Sequence, residues 1–168
     1  MPRLLVVHHS PTAATRALTA NVLAGAHDDA IAGVDVVAVP ALDFATGRAD
    51  HTDLLGADGY VLGTSANFGY MSGALKHVFD STFLQVGGAL DSTGAAGSST
   101  GTTAGRPFGL YVHGRYDTVG AVRSVLAITG ALGWRRGFGV LEVLGEVTED
   151  DHRSAYDLGG TIAALLAG

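Results

Sequence analysis

A chain of 168 residues that is 47% apolar and only 15% charged is long enough to bury a core without staples and is too apolar for a disordered chain. Acidic groups exceed basic ones, for a net charge of -6, which argues against a nucleic-acid backbone as partner; the absence of cysteine removes disulfides, thiolate chemistry, iron–sulfur ligation and cysteine-based zinc sites together. No apolar run nears the ~20 residues that cross a bilayer, and Arg3-Leu4-Leu5-Val6-Val7 is broken at once by His8-His9-Ser10-Pro11 rather than continuing as a signal peptide, so a single cytoplasmic domain over residues 1–168, without membrane contact, is expected.

Leu4-Leu5-Val6-Val7 is a short continuous apolar run, as expected of a strand covered on both faces. From Thr15 the period changes to four, through Ala14, Leu18, Val22 and Ala26, which predicts a helix. Gly33 precedes a second strand, Val34-Asp35-Val36-Val37-Ala38-Val39, which Pro40 stops. Asp50 and Asp53 flank a short helical turn through Leu54-Leu55 that Gly56 ends. Gly59-Tyr60-Val61-Leu62-Gly63 is a third strand, and Leu75, Val78, Phe79 and Phe83 mark the apolar side of the next helix. The stretch 87–105, rich in Gly, Ser, Thr and Ala, reads as a long loop. Phe108-Gly109-Leu110-Tyr111-Val112 is a fourth strand, followed by a helix through Val119, Val122, Leu126 and Thr129 that ends near Gly133. Gly139-Val140-Leu141-Glu142-Val143-Leu144 is a fifth strand. Thr148 and Asp151 have capping-box spacing before a last helix whose core stripe is Ala155, Leu158, Ile162 and Leu165.

Strands that alternate with helices argue for a parallel sheet wrapped on both faces by right-handed crossovers. The chain is too short for an eight-unit barrel, so an open doubly wound sheet is expected. Ligands of such sheets sit beyond the carboxyl ends of the strands. Chemistry is therefore sought in the loops after strands one, three and four, at residues 9–15, 64–72 and 113–118.

Ser10-Pro11-Thr12-Ala13-Ala14-Thr15 offers three hydroxyls and free amides at a helix N-terminus, which suits an anion; the competing reading is that Thr12 or Thr15 simply caps the helix. No Gly-Lys-Ser/Thr and no Gly-x-Gly-x-x-Gly follows the first strand, so a monophosphate fits better than a nucleoside triphosphate or a dinucleotide turn. In the middle loop Phe68 and Tyr70 flank Gly69, with Asn67 beside them: flat surface and amides for a planar heteroaromatic ring, or else one ring in the core and one at an interface. In the third, His113-Gly114-Arg115-Tyr116-Asp117-Thr118, a simple N-cap by Asp117 or Thr118 competes with a binding role. The seven histidines do not assemble a metal site: His8 and His9 are adjacent, and His51, His77 and His152 lie on separate segments. Asp58 and Asp80 lack the acidic partners after strand one that a phospho-acceptor needs, Tyr70-Met71-Ser72-Gly73 is no nucleophile elbow, and Arg135-Arg136 beside Trp134 reads as a solvated basic spot.

The phosphate-type first loop, then Ala66-Asn67-Phe68-Gly69-Tyr70-Met71-Ser72 with Leu75-Lys76 in the helix behind it, resembles the flavodoxin-like FMN proteins, and among these most the flavodoxin-like NAD(P)H:quinone and FMN reductases. The resemblance spans essentially the whole chain. It implies a flavodoxin-like three-layer α/β/α sandwich on a five-stranded parallel sheet of order 2-1-3-4-5, with FMN bound non-covalently. Ser10, Thr12, Ala13, Ala14 and Thr15 would hold the FMN phosphate. Ala66, Asn67, Phe68, Gly69 and Tyr70 would border the isoalloxazine, and His113, Gly114, Arg115, Tyr116 and Asp117 would approach its pyrimidine end. NAD(P)H would deliver hydride and a quinone or similar small acceptor would take the electrons, with His113 and Tyr116 as the side chains to touch substrate. The alternatives are a flavodoxin that shuttles electrons to a protein partner and a flavin-free interaction module. A homodimer or homotetramer is the implied assembly. The chain departs from the pattern at Ala13-Ala14, where relatives often carry glycine, in the stretch 87–105, and in a net charge that is moderate for an electron shuttle.

Overall fold

In the computed structural model, which describes residues 1–87, 90–95 and 101–168, β1 (Arg3–His8) sends alternate side chains to two different cores. Leu5 and Val7 join one, Leu4 and Val6 the other, as the two-residue period of a doubly covered strand requires. α1 (Ala13–Ala26) begins two residues before Thr15, because Thr12 caps it and Thr15 reciprocates in a capping box. β2 (Asp35–Pro40) follows, and then two short helices, α2 (Asp43–Thr46) and α3 (His51–Leu55). The four residues of α2 are too few to show a period and were not anticipated.

β3 (Gly59–Asn67) runs four residues beyond its expected end and turns at Phe68-Gly69 into β4 (Tyr70–Met71), which pairs back antiparallel, Ala66 with Met71 and Asn67 with Tyr70. What reads as a loop in the sequence is thus the tip of a hairpin. α4 (Gly73–Val86), β5 (Pro107–Gly114) and α5 (Val119–Ala131) come next. The last strand arrives in two pieces, β6 (Arg135–Arg136) and β7 (Leu141–Leu144), before α6 (Glu149–Ala167), whose capping box of Thr148 and Asp151 forms as expected.

The sheet runs β2-β1-β3-β5, all parallel, with β6 and β7 both pairing to the outer side of β5. This is the expected order 2-1-3-4-5 with a broken fifth strand. One face carries the core of Leu5, Tyr60, Leu62, Leu75, Val78, Phe79, Phe108, Val125 and Trp134, where Trp134 stacks on Tyr60 at 3.8 Å between ring centroids. The other carries Leu18, Val22, Val61, Tyr111, Leu158 and Ile162, between the sheet and the α1–α6 pair. Those two helices touch backbone to backbone: a Cβ on Gly159 would lie 1.9 Å from the Val22 carbonyl oxygen, so only glycine fits.

Three expected core positions point outward. Phe83, Val119 and Leu165 are exposed, while Val86, Ala121 and Leu166 take the inward places, because a true 3.6-residue period drifts from the positions picked at sequence level. Of the stretch 87–105, residues 90–95 turn around the Asp91 carboxylate, which accepts from Thr93 N at 2.8 Å and Ala95 N at 3.1 Å. Thr103 is buried and accepts from Trp134 Nε1 at 2.7 Å. The rest of that predicted loop, residues 88, 89 and 96–100, lies outside the described residues. Among the described residues no helix is long and apolar enough to cross a membrane.

Candidate functional site

The carboxyl ends of β1, β3 and β5 are held side by side by the sheet register. His8 pairs with Gly63, Ser65 pairs with His113, and His9 N donates to the Gly63 carbonyl at 2.9 Å. Gly114 lies against Ala66, and Gly120 in the first turn of α5 lies against the hairpin tip. A Cβ on Gly120 would sit 1.8 Å from the Gly69 carbonyl oxygen. The three predicted loops therefore meet at one end of the sheet.

In the first loop the hydroxyls are engaged within the protein. Thr12 Oγ1 accepts from Thr15 N at 3.2 Å and lies 2.9 Å from Thr15 Oγ1, which in turn accepts from Thr12 N at 3.1 Å. Ser10 Oγ turns inward, 2.9 Å from His8 Nδ1 and 2.7 Å from Thr19 Oγ1. The backbone is less occupied. Among the described residues Ala13 N and Ala14 N donate to nothing, as the opening turn of a helix leaves them, and the first turn carries no acidic side chain. Burial and the neighbouring His9 lower the His8 pKa against an opposing pull from Asp43, and burial lowers that of His9.

At the hairpin tip Phe68 is fully exposed and has φ 51, in the left-handed region, followed by Gly69 at φ 75. Two successive positive φ values make the twist-matched two-residue turn for which a phenylalanine is the wrong choice on backbone grounds. The two aromatics of this segment part company. Phe68 projects from the tip, whereas Tyr70 lines a hollow of about 430 Å³ between α4 and α5 with Lys76, Gly120 and Arg123. Asn67 is oriented by Ser65, whose Oγ donates to Asn67 Oδ1 at 2.9 Å.

The third loop is fastened to the start of the β7–α6 connection. His113 Nε2 lies 2.7 Å from the Gly145 carbonyl, an acceptor only, so Nε2 carries a proton; Gly145 N donates to the Gly114 carbonyl at 2.9 Å. A hollow of about 390 Å³ opens there, lined by His113, Arg115, Gly145 and Glu146. The Arg115 guanidinium lies 5.2 Å above the ring of Tyr116, which is mostly exposed. Of the two competing caps, Asp117 accepts from Val119 N at 2.9 Å, while Thr118 Oγ1 is turned to Glu142 Oε2 at 2.6 Å.

Sequence reasoning did not single out Thr19, Tyr111, Gly120 or Gly145. A signal for Thr19 was present: it is a polar residue beside Leu18 on the inward face of α1. Among the described residues no three His, Asp or Glu side chains gather around a point where a metal would sit.

No protein-family model matches the chain, and no curated protein matches it. Solved structures do. A flavodoxin from the domain Archaea superposes with a TM-score of 0.74 at 18% identity, covering 99% of both chains. The Streptococcus pneumoniae TIGR4 flavodoxin gives 0.72 at 17% identity, over 97% of this chain and 99% of that one. A WrbA-like flavodoxin from Agrobacterium tumefaciens gives 0.68 at 16%, over 99% and 98%. With its parallel sheet, its flanking helices and these full-length superpositions, the chain has the flavodoxin-like fold.

Proposed function

We propose that the protein binds FMN non-covalently where the three loops meet and acts as an oxidoreductase, with NAD(P)H as donor and a quinone or similar small molecule as acceptor. The observation that carries this reading is Phe68. Leaving its side chain in water forgoes about 1.5–3 kcal/mol of burial, and the left-handed backbone costs about 1–2 kcal/mol more. Such a cost in a fully exposed aromatic at the mouth of a site is the mark of a surface shaped for a flat ligand.

The donors present suit the group. Ala13 N and Ala14 N, at the positive end of α1, would hold the phosphate dianion. Because Ser65 fixes Asn67 Oδ1 as an acceptor, both Nδ2 hydrogens of Asn67 are available to a ring carbonyl. Phe68 and Tyr116 would shield ring faces from water. Gly69 would border the ring through its backbone, with Ala66 beneath. His113, its Nε2 proton committed to Gly145, would offer Nδ1 to substrate. When bound, FMN supplies the hydride- and electron-accepting chemistry itself.

A second reading, an electron carrier that docks a protein partner, is supported by the apolar rim of Phe68, Tyr116, Val119 and Leu144, all exposed at the same end. Titration with FMN, followed by anaerobic reduction with NADH and NADPH and steady-state turnover with a benzoquinone, separates the readings. The reductase turns over alone; the carrier binds FMN but shows negligible turnover without a partner reductase. Absence of FMN binding removes both. The proposal includes a homodimer or homotetramer in which a neighbour covers the exposed rings, which light scattering of the FMN-loaded protein checks.

A further inference from the structure

The first loop is anchored to a buried chain of hydroxyls. Tyr111, in the middle of β5 and wholly buried, has its OH 2.5 Å from Thr19 Oγ1; Thr19 Oγ1 is 2.7 Å from Ser10 Oγ, and Ser10 Oγ is 2.9 Å from His8 Nδ1. A hydroxyl has one proton to give and two lone pairs to receive with. Thr19 Oγ1 also donates to the Thr15 carbonyl at 2.9 Å, which can only accept, so its single proton is spent there. Tyr111 and Ser10 must then both donate to Thr19. Burial raises the Tyr111 pKa, which keeps that phenol protonated and in the donor role. Ser10, its own proton given to Thr19, can only accept from His8.

The polarity of the chain thus follows from one carbonyl. It leaves neutral His8 as the Nδ1–H tautomer, with its lone pair on Nε2, and it leaves Ser10 without a proton for any ligand. Protonating His8 at Nε2 breaks none of these bonds. The charged and titratable groups facing His8 are His9 on its own loop and Asp43 of α2, whose carboxylate Arg48 holds at 3.0 Å through Nε and 2.7 Å through Nη2; the Tyr111 phenol at the far end of the chain is neutral.

We propose that Ser10 is a positioning residue rather than a phosphate-binding hydroxyl, and that His8, held in one tautomer by the Tyr111–Thr19–Ser10 chain, takes up a proton at Nε2 when a phosphate monoester dianion binds the adjacent first turn of α1. The second half rests on the reading that this turn receives the phosphate of FMN. A dianion three to four residues along the chain from Ser10 favours the charged imidazole, and linkage makes the effect reciprocal: affinity strengthens as pH falls. Each unit by which binding raises the His8 pKa is worth tenfold in affinity over the range titrated.

Two measurements test this. In the free protein, ¹⁵N shifts of the His8 ring report the tautomer: Nδ1–H in the native chain, moving toward Nε2–H in Thr19→Val/Tyr111→Phe, where Ser10 is released to donate to Nδ1. That pair of near-isosteric changes removes both partners and leaves no buried phenol unpaired. An Nε2–H tautomer in the native protein overturns the role given to Ser10. Separately, FMN dissociation constants from pH 8 to pH 6 are compared between native protein and His8→Gln. The titration of the phosphate itself, with its second pKa near ~6, is common to both and cancels. A native protein that gains about tenfold more affinity over this range than His8→Gln supports the coupling; equal slopes overturn it. No FMN binding at any pH would overturn the functional reading and the coupling together, while the tautomer would still decide the place of Ser10.

Discussion

Phe68 sets local backbone preference against position, and the conflict makes a prediction of opposite signs. Phe68→Gly removes the left-handed penalty of about 1–2 kcal/mol but restores about 0.4–1 kcal/mol of unfolded-chain freedom, so the free protein gains up to about 1.6 kcal/mol in thermal or urea unfolding. The same change removes an aromatic face worth about 0.5–1.5 kcal/mol, so FMN binds about 2- to 10-fold more weakly. A loss of stability together with unchanged affinity would refute the role given to the ring. The two histidines at the junction of β1 and the first loop predict a pH profile. Both pKa values are lowered, mainly by burial, so near and below the ordinary ~6.5 the unfolded chain binds protons that the native chain resists. Stability is full above that value and falls as pH drops from about 6.5 toward the native pKa values, and His8→Gln flattens the slope in unfolding measured from pH 5.5 to 7.5. At this scale the sequence was informative about residue types and silent about direction. A Ser-Pro-Thr loop shows hydroxyls but not that Ser10 faces inward, an apolar strand shows Tyr111 as core but not that its phenol reaches α1, and an aromatic pair around glycine does not reveal that the pleat of a hairpin sends Tyr70 toward α4 and α5.

Among the elements, the hairpin of β3 and β4 meets α5 at a backbone contact that leaves no room for a side chain at Gly120. Because the Gly69 carbonyl oxygen lies where a Cβ on Gly120 would be, Gly120→Ala must push the hairpin off α5. We expect a cost of about 1–3 kcal/mol in unfolding, as for overpacking elsewhere, and weaker FMN binding from a residue that touches none of it. Retained affinity at reduced stability would show that the hairpin is not part of the site. Long helices were legible from their period, and α6 from its capping box as well, because apolar residues every three to four positions have no other outlet than a covered face. Short elements were not. The two residues of β4 and of β6, and the four of α2, carry no period at all; the two strands form on backbone groups that β3 and β5 present to them, and α2 is closed by local bonds such as Ala45 N to the Leu42 carbonyl.

For the molecule as a whole, the order of the sheet was legible because right-handed crossovers and alternating elements leave few arrangements open, and the broken fifth strand did not disturb it. The meeting of the three loops followed from the same rule, since loops at carboxyl ends of adjacent parallel strands lie side by side. Ligand that binds only the native state stabilises it by about 2.7 kcal/mol at a hundredfold excess over Kd, or roughly 5–10 °C in Tm for a domain of this size. FMN should produce that upward shift in a thermal melt and riboflavin, lacking the phosphate, a smaller one; equal shifts would place the grip on the ring alone. The division of the last strand has a consequence for association in concentrated solution. Beyond β5 an incoming extended chain meets two residues of ladder, a gap over 137–140, and four residues more, while the opposite margin ends at Pro40, which has no N–H to give. The divided border offers no long, uninterrupted template, and on that side the native protein is guarded against edge-to-edge growth into fibres.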